Sequence, residues 1–275
     1  MSGFNGFIGK NIINSGLFKN DIILPLDLRY LSNVTTKTLE EYMSNHQYVD
    51  SYIIHLASPT DKKTIHDGNF LDVSISLSNT MIEISKLLKP IKFIYMSSGK
   101  VNWTVKDKTG HDINPLGNVK LETENFLLEN INKETQVQII RLYNAFGPNQ
   151  KKEYFIPKII YHIKKNKPIT LGTLSHKRDY IFIEDVVSAV NVLINSTTNE
   201  SIFELGSGKS TEMKKILNLI LKNSKQSIEV FIDEKLERNF ELHKERADIN
   251  KLVDLGWFPG YELEKGIVKT LQHYK

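Results

Sequence analysis

Ser2-Gly3-Phe4-Asn5-Gly6-Phe7-Ile8-Gly9 sets three glycines three residues apart, directly ahead of a helical pattern running from Phe7 to Ser15. Gly3 would allow the tight turn, Gly6 would let the backbone approach a pyrophosphate, and Gly9 would let the helix lie close on a sheet. The helix start, with Phe7 and Ile8 in its first turn, adds unpaired N–H groups and the positive end of its dipole, both suited to phosphate. Glycine spacing alone is weak evidence, because a purely structural turn has the same pattern.

The next segment of the chain strengthens it. A strand-like run, Asp21 to Leu26, ends at Asp27, where an acidic side chain would meet the adenosine ribose hydroxyls of a dinucleotide. Asp27 favours NAD. Arg29 would suit a 2′-phosphate, which keeps NADP open, and a turn-capping Asp27 is the plain alternative. Further apolar runs at Ser51 to Leu56, Lys92 to Met96 and Val137 to Leu142 read as strands buried on both faces. Between them lie helical patterns at Thr38 to Asn45, Phe70 to Leu88 and Lys120 to Asn130. The alternation gives an α/β class, a Rossmann doubly wound parallel sheet. After Asn149 the pattern changes to Phe155 to Lys165, a short strand at Pro168 to Leu171, Val186 to Asn195 and Met213 to Leu221. Residues 1–149 are therefore read as the dinucleotide-binding domain and 150–275 as mainly a smaller substrate lobe, with the chain crossing between them.

Composition narrows the classes. The chain has 275 residues, 40% of them apolar, no cysteine and a net charge of +4 spread in short groups. Thiolate metal sites and disulfides are excluded, and no metal site is expected. Scattered basic pairs such as Lys151-Lys152 are solvated faces rather than a nucleic-acid surface. No apolar run reaches membrane-spanning length, so neither membrane nor nucleic acid is expected as a partner, and a cytoplasmic location is the expectation.

Several ordered motifs resemble the extended short-chain dehydrogenase/reductase (NAD-dependent epimerase/dehydratase) family. They are the glycine turn, Ile54-His55-Leu56-Ala57-Ser58, Tyr95-Met96-Ser97-Ser98, Arg141 to Pro148, Arg178-Asp179-Tyr180-Ile181 and Phe203 to Gly208, with Ala247 to Lys251 near the end. The resemblance implies an NAD(P)-dependent enzyme acting on a nucleotide-diphosphate sugar. In that family Leu56, Ala57 and Ser58 would line the dinucleotide, and Lys120 would bind the nicotinamide ribose. Ser98 would hydrogen-bond the reacting oxygen, with Ser97 as the neighbour to consider. Asn144, Arg178 and Arg238 would face the sugar donor, the arginines against its diphosphate; a structural salt bridge is the competing reading for both. A homodimer packed through the helix bearing Lys120 is also implied.

Two departures stand out. The family's catalytic tyrosine should lie four residues before Lys120, where this chain has Leu116, which cannot exchange a proton. Tyr95, Tyr143 and His111 are the nearest candidates to replace it. The glycine turn also lacks the apolar strand that normally precedes it, so the first strand looks truncated, neighbouring backbone should be left unpaired, and a longer native chain is expected. Gly99 and Lys100 after Ser98 disfavour a 4,6-dehydratase, leaving epimerase or 4-ketoreductase; the alternative is a catalytically silent NAD(P)-binding regulator or partner subunit.

Overall fold

A computed structural model of the chain describes residues 1–19, 21, 23, 25–26, 50–59, 69–103, 114–236 and 243–274. The expected helix Thr38 to Asn45 and the residues Asp27, Arg29, His111 and Arg238 lie outside the described residues. The chain forms two compact units, Met1–Arg141 with Val190–Phe203, and Leu142–Ala189 with Glu204–Lys275. The division falls ahead of Asn149, and the chain returns once to the first unit.

In the first unit, helix α1 (Phe7–Asn14) is followed by strand β1 (Tyr52–His55), helix α2 (Phe70–Leu88), strand β2 (Lys92–Ser98), helix α3 (Pro115–Asn130) and strand β3 (Gln136–Leu142). Strands β1, β2, β3 and β7 (Ile202–Leu205) form one sheet in that order. β1 and β2 run parallel, with His55 beside Tyr95. Parallel neighbours require a crossover, and α2 supplies it. Ile53, Phe93, Tyr95 and Ile139 meet Met81, Ile82, Ile84 and Leu127 of the helices in one core cluster. Lys92 is buried, yet its ammonium donates to the carbonyls of Leu193 and Ile194 at 2.8 Å, and to that of Ser196. A cation there answers the negative end of the helix that closes at Asn195.

The residues before the glycine turn are paired on both sides. Ser2 bridges in parallel to both Leu26 and His55. Its N–H donates to Ile54 O at 3.0 Å, and the Leu26 N–H donates to Met1 O at 2.8 Å. Two residues thus supply backbone partners on both sides, and at this level the neighbours are not left unpaired as expected. α3 starts at Pro115 rather than at Lys120. Proline suits the first helical position, and the Asn114 side chain caps the helix by accepting from Gly117 N–H at 3.2 Å.

In the second unit, β4 (Asn144–Phe146) lies parallel to β6 (Lys177–Phe182), and β8 (Ser210–Glu212) pairs antiparallel on its other side. β5 (Ile169–Leu171) and β9 (Val230–Ile232) form a separate parallel pair. Helices α4 (Phe155–Lys164), α6 (Met213–Ser224), α7 (Asn250–Asp254) and α8 (Leu263–His273) belong to this unit, while α5 (Ile183–Asn195) begins in it.

Candidate functional site

The glycine turn is built against the end of β1. Gly3 has φ +68°, and a Cβ there would stand 2.8 Å from Ala57 N and 2.9 Å from Leu56 C, so only glycine fits. A Cβ on Gly9 would lie 2.5 Å from both Gly3 O and Phe4 Cα, inside the turn itself. A Cβ on Gly6 would meet only Gly3 O within 4 Å, at 3.1 Å, leaving its outer side open for close approach. Gly6 is also the N-cap residue of α1, and no side chain caps that start.

Ser2 fixes the backbone opposite the turn. Its Oγ accepts from the N–H groups of Leu56 (3.2 Å) and Ala57 (3.3 Å) and lies 2.7 Å from His55 Nδ1. Two accepted bonds use both lone pairs, so the hydroxyl proton goes to Nδ1. The remaining ring N–H at Nε2 then donates to Ser78 Oγ at 3.2 Å. Complete burial pushes the His55 imidazole down to about 3, keeping it neutral as this arrangement requires. Leu56, Ala57 and Ser58 are thereby held beside the turn, and the Ser58 hydroxyl is a buried polar atom without a partner. A cradle that a side chain would fill and an orphaned hydroxyl next to it are both suited to a dinucleotide.

Further along the same unit, Ser98 ends β2 and accepts from Lys100 N–H at 3.3 Å, capping a short 3₁₀ turn, Gly99–Asn102. Ser97 is buried and donates to Glu124 Oε1 at 2.5 Å. Glu124 in turn receives Arg141 at 2.7 Å. Of the two serines, Ser97 is committed to a structural network. Asn114 ties the Ser98 turn to α3, because its Nδ2 donates to Lys100 O (2.9 Å) and Trp103 O (3.0 Å) while its Oδ1 caps Gly117. A Cβ on Gly117 would lie 2.4 Å from Asn114 Nδ2 and 2.5 Å from Lys100 O, which makes this glycine part of the tie.

Lys120 sits one turn further on, 7% exposed. Its ammonium donates to Tyr95 Oη at 3.1 Å and to Met96 O at 3.0 Å, and lies 4.8 Å from the Tyr95 ring centroid. Burial pushes it down to about 7, partly offset by Glu124. Tyr95 is 1% exposed, and burial drives its phenol far above the ordinary value. Of the candidates to replace the missing tyrosine, Tyr95 is thus enclosed in the core, and Tyr143 is bonded to Glu204 at 2.8 Å in the second unit. Leu116 is half-buried.

In the second unit Arg178 and Asn144 are brought together by a residue that the sequence did not single out. Glu245, 6% exposed, takes Arg178 Nε on one oxygen at 2.7 Å and Asn144 Nδ2 on the other at 2.9 Å. Beside them Asp179, fully buried, accepts from Ser207 N–H and Oγ, Gly208 N–H and Ala247 N–H at 2.7–3.0 Å. Burial raises the Asp179 carboxyl, and these four bonds oppose the rise. Glu245 carries no local signal, because an arginine at 178 and an acid at 245 share no pattern in the sequence. Among the described residues no group of three or more His, Asp or Glu is placed to hold a metal, and no helix is long and apolar enough to cross a membrane.

The sequence matches the NAD dependent epimerase/dehydratase family model over residues 1–206. It is 25% identical over 98% of this chain to CDP-abequose synthase of Salmonella muenchen, covering 96% of that protein. It is 28% identical over 99% of this chain to dTDP-4-dehydro-6-deoxyglucose reductase of Escherichia coli, again covering 96% of the relative. Among solved structures, UDP-glucose 4-epimerase of Thermotoga maritima with UDP-glucose superposes with a TM-score of 0.81 at 22% identity, over 99% of this chain and 97% of that one.

Proposed function

Because the chain belongs to the NAD-dependent epimerase/dehydratase family, we propose that it is an NAD(P)-dependent nucleotide-sugar epimerase or 4-ketoreductase working by hydride transfer at a sugar carbon. The observation that carries this reading is the glycine turn closed on Leu56 and Ala57, with the unpartnered Ser58 hydroxyl at its side. Gly3, Gly6, Phe7, Ile8 and Gly9 would hold the pyrophosphate and Asp27 the adenosine ribose. When bound, the nicotinamide accepts or returns the hydride. The Ser98 O–H, which its cap to Lys100 leaves available as a donor, would hold the reacting oxygen. Lys120 would reach the nicotinamide ribose. Asn144, Arg178 and Arg238 are the proposed contacts to the sugar donor, with Arg178 acting from a guanidinium that Glu245 fixes in place. A relative that reduces a dTDP-keto sugar, at 28% identity, supports the reductase branch.

Leu116 supplies no proton, so turnover should be slow. The test is hydride exchange, read by nicotinamide absorbance, against UDP-, GDP-, CDP- and dTDP-sugars. Leu116→Tyr is expected to raise the rate by about 100- to 10,000-fold, the usual contribution of a positioned general base. A wild type that is inert while Leu116→Tyr turns over would instead support a silent dinucleotide binder. The outer faces of α2 and α3 expose Leu71, Val73 and Leu128, consistent with a homodimer. Light scattering giving a monomer mass at every concentration would remove that part.

A further inference from the structure

Lys120 is a buried cation with no carboxylate bonded to it; Glu124, which favours its charged form, acts only from a distance. Its contacts are the Tyr95 hydroxyl and ring and the Met96 carbonyl, all neutral, and no ion pair joins it to a carboxylate among the described residues. Glu124 lies one helical turn away, but its oxygens are spent on the Ser97 hydroxyl and the Arg141 guanidinium. Buried lysines without a paired acid lose much of their preference for the charged form.

We propose that Tyr95 is a positioning residue for Lys120, and that the pair couples dinucleotide uptake to proton uptake, the anionic dinucleotide supplying a counter-charge that no bonded carboxylate provides. The inference rests on the dinucleotide-binding reading above. The coupling is a matter of linkage, since a ligand that carries two phosphates and offers ribose hydroxyls favours the ammonium over the amine. Among the described residues, the other titratable groups around this core lie on the first residue, β1, β2, α2 and α3. His55, from β1, lies near 3 and the Met1 amine near 5, both pushed down by burial. Tyr95, from β2, is driven upward, and Glu124 of α3 is paired with Arg141 of β3. Asp72, Glu83 and Lys86 of α2 are exposed to solvent, away from the core. With Lys120 lowered to about 7, uptake should appear in the neutral range.

The experiment is calorimetry of NADH binding to the full chain in buffers of different ionisation heat, from pH 5.5 to pH 8.5. NADH is chosen because it lacks the phosphate monoester of NADPH, whose own second pKa near 6 would confuse the count. The expected result is almost no proton at pH 5.5, about half a proton at pH 7 and about 0.9 at pH 8, with affinity about tenfold weaker at pH 8 than at pH 6. Lys120→Arg, charged throughout, should bind with no uptake at any pH. Tyr95→Phe keeps the ring but removes an acceptor of the ammonium, and should move the uptake curve to lower pH by about one unit. NADH binding without uptake, or uptake that survives in Lys120→Arg, overturns the coupling. An unshifted curve in Tyr95→Phe overturns the role of Tyr95, and it decides the matter even if arginine is not accommodated. Failure of the wild type to bind NADH at all would instead remove the dinucleotide reading on which the proposal stands.

Discussion

Each unit buries charge, but not every buried ion is equally well partnered. In the second unit the buried acids have full sets of partners: Asp179 accepts four bonds, and Glu245 holds Arg178 with one oxygen and Asn144 with the other. In the first unit Glu124 is equally well satisfied, but Lys120, on the same helix, has two neutral acceptors and no acid. Burying a charge is costly unless it is paired, so a saturated cluster behaves as a structural fastener, whereas an unsaturated ion is poised to respond to a ligand. Saturation of partners, rather than burial, separates the two roles.

The sharpest way to break this contrast is to cut the fastener. Asp179→Ala should leave the N–H groups of Ser207, Gly208 and Ala247 without their acceptor inside the protein, at a cost of about 4 kcal/mol. The two tryptophans report the units separately. Trp257, bonded to Ser188 Oγ, lies in the second unit and Trp103 in the first. Urea unfolding followed by Trp257 fluorescence in a Trp103→Phe background should show the loss. A change below about 1 kcal/mol would mean that the cluster is not a fastener.

A smaller effect, about 3 kcal/mol for each single change, is expected when Arg178→Met or Glu245→Met leaves its partner buried and unpaired. The double variant should lose less than the sum of the two, because neither charge then remains uncompensated. Additive losses in the same urea assay would show that the two side chains do not act as a pair, and would return Arg178 to the sugar donor as its main partner.

These clusters also mark where the sequence stops being readable. The glycine turn, β1, α2, β2 and β3 are legible because their signals are local: glycine spacing, apolar runs and helical period. Ser98, Lys120, Asn144 and Arg178 can be located as candidates from motif order alone, but not their partners. The start of α3 escapes a reading by pattern because Pro115 and Gly117 look like a loop until Asn114 is seen capping the helix and reaching Lys100 and Trp103. The bridges of Ser2 to Leu26 and His55 join distant stretches of chain and leave no mark in the glycine spacing. The pairing of Tyr95 with Lys120 joins residues 25 positions apart through the pleat of β2, which no periodicity expresses.

The mildest perturbation tests the other half of the contrast. Lys120→Met keeps most of the length of the side chain and removes the charge. In the folded protein Lys120 titrates near 7, well below the value of about 10.5 that it has when exposed. As pH falls from about 10.5 to about 7 the unfolded chain therefore takes up a proton that the folded chain does not, and wild-type stability falls across that window before levelling off below it. The variant has no such slope. At pH 6 it should be more stable than wild type by roughly 1–2 kcal/mol, since a buried cation without an acid has been replaced by an apolar side chain. At pH 10, where the wild-type amine is largely neutral and still bonded to Tyr95 and Met96, the order should reverse by about 1 kcal/mol. Urea midpoints read from Trp103 at the two pH values would show the crossing. Equal midpoint shifts at both would mean that Lys120 is as well compensated as Asp179, and the distinction between the two regions would disappear.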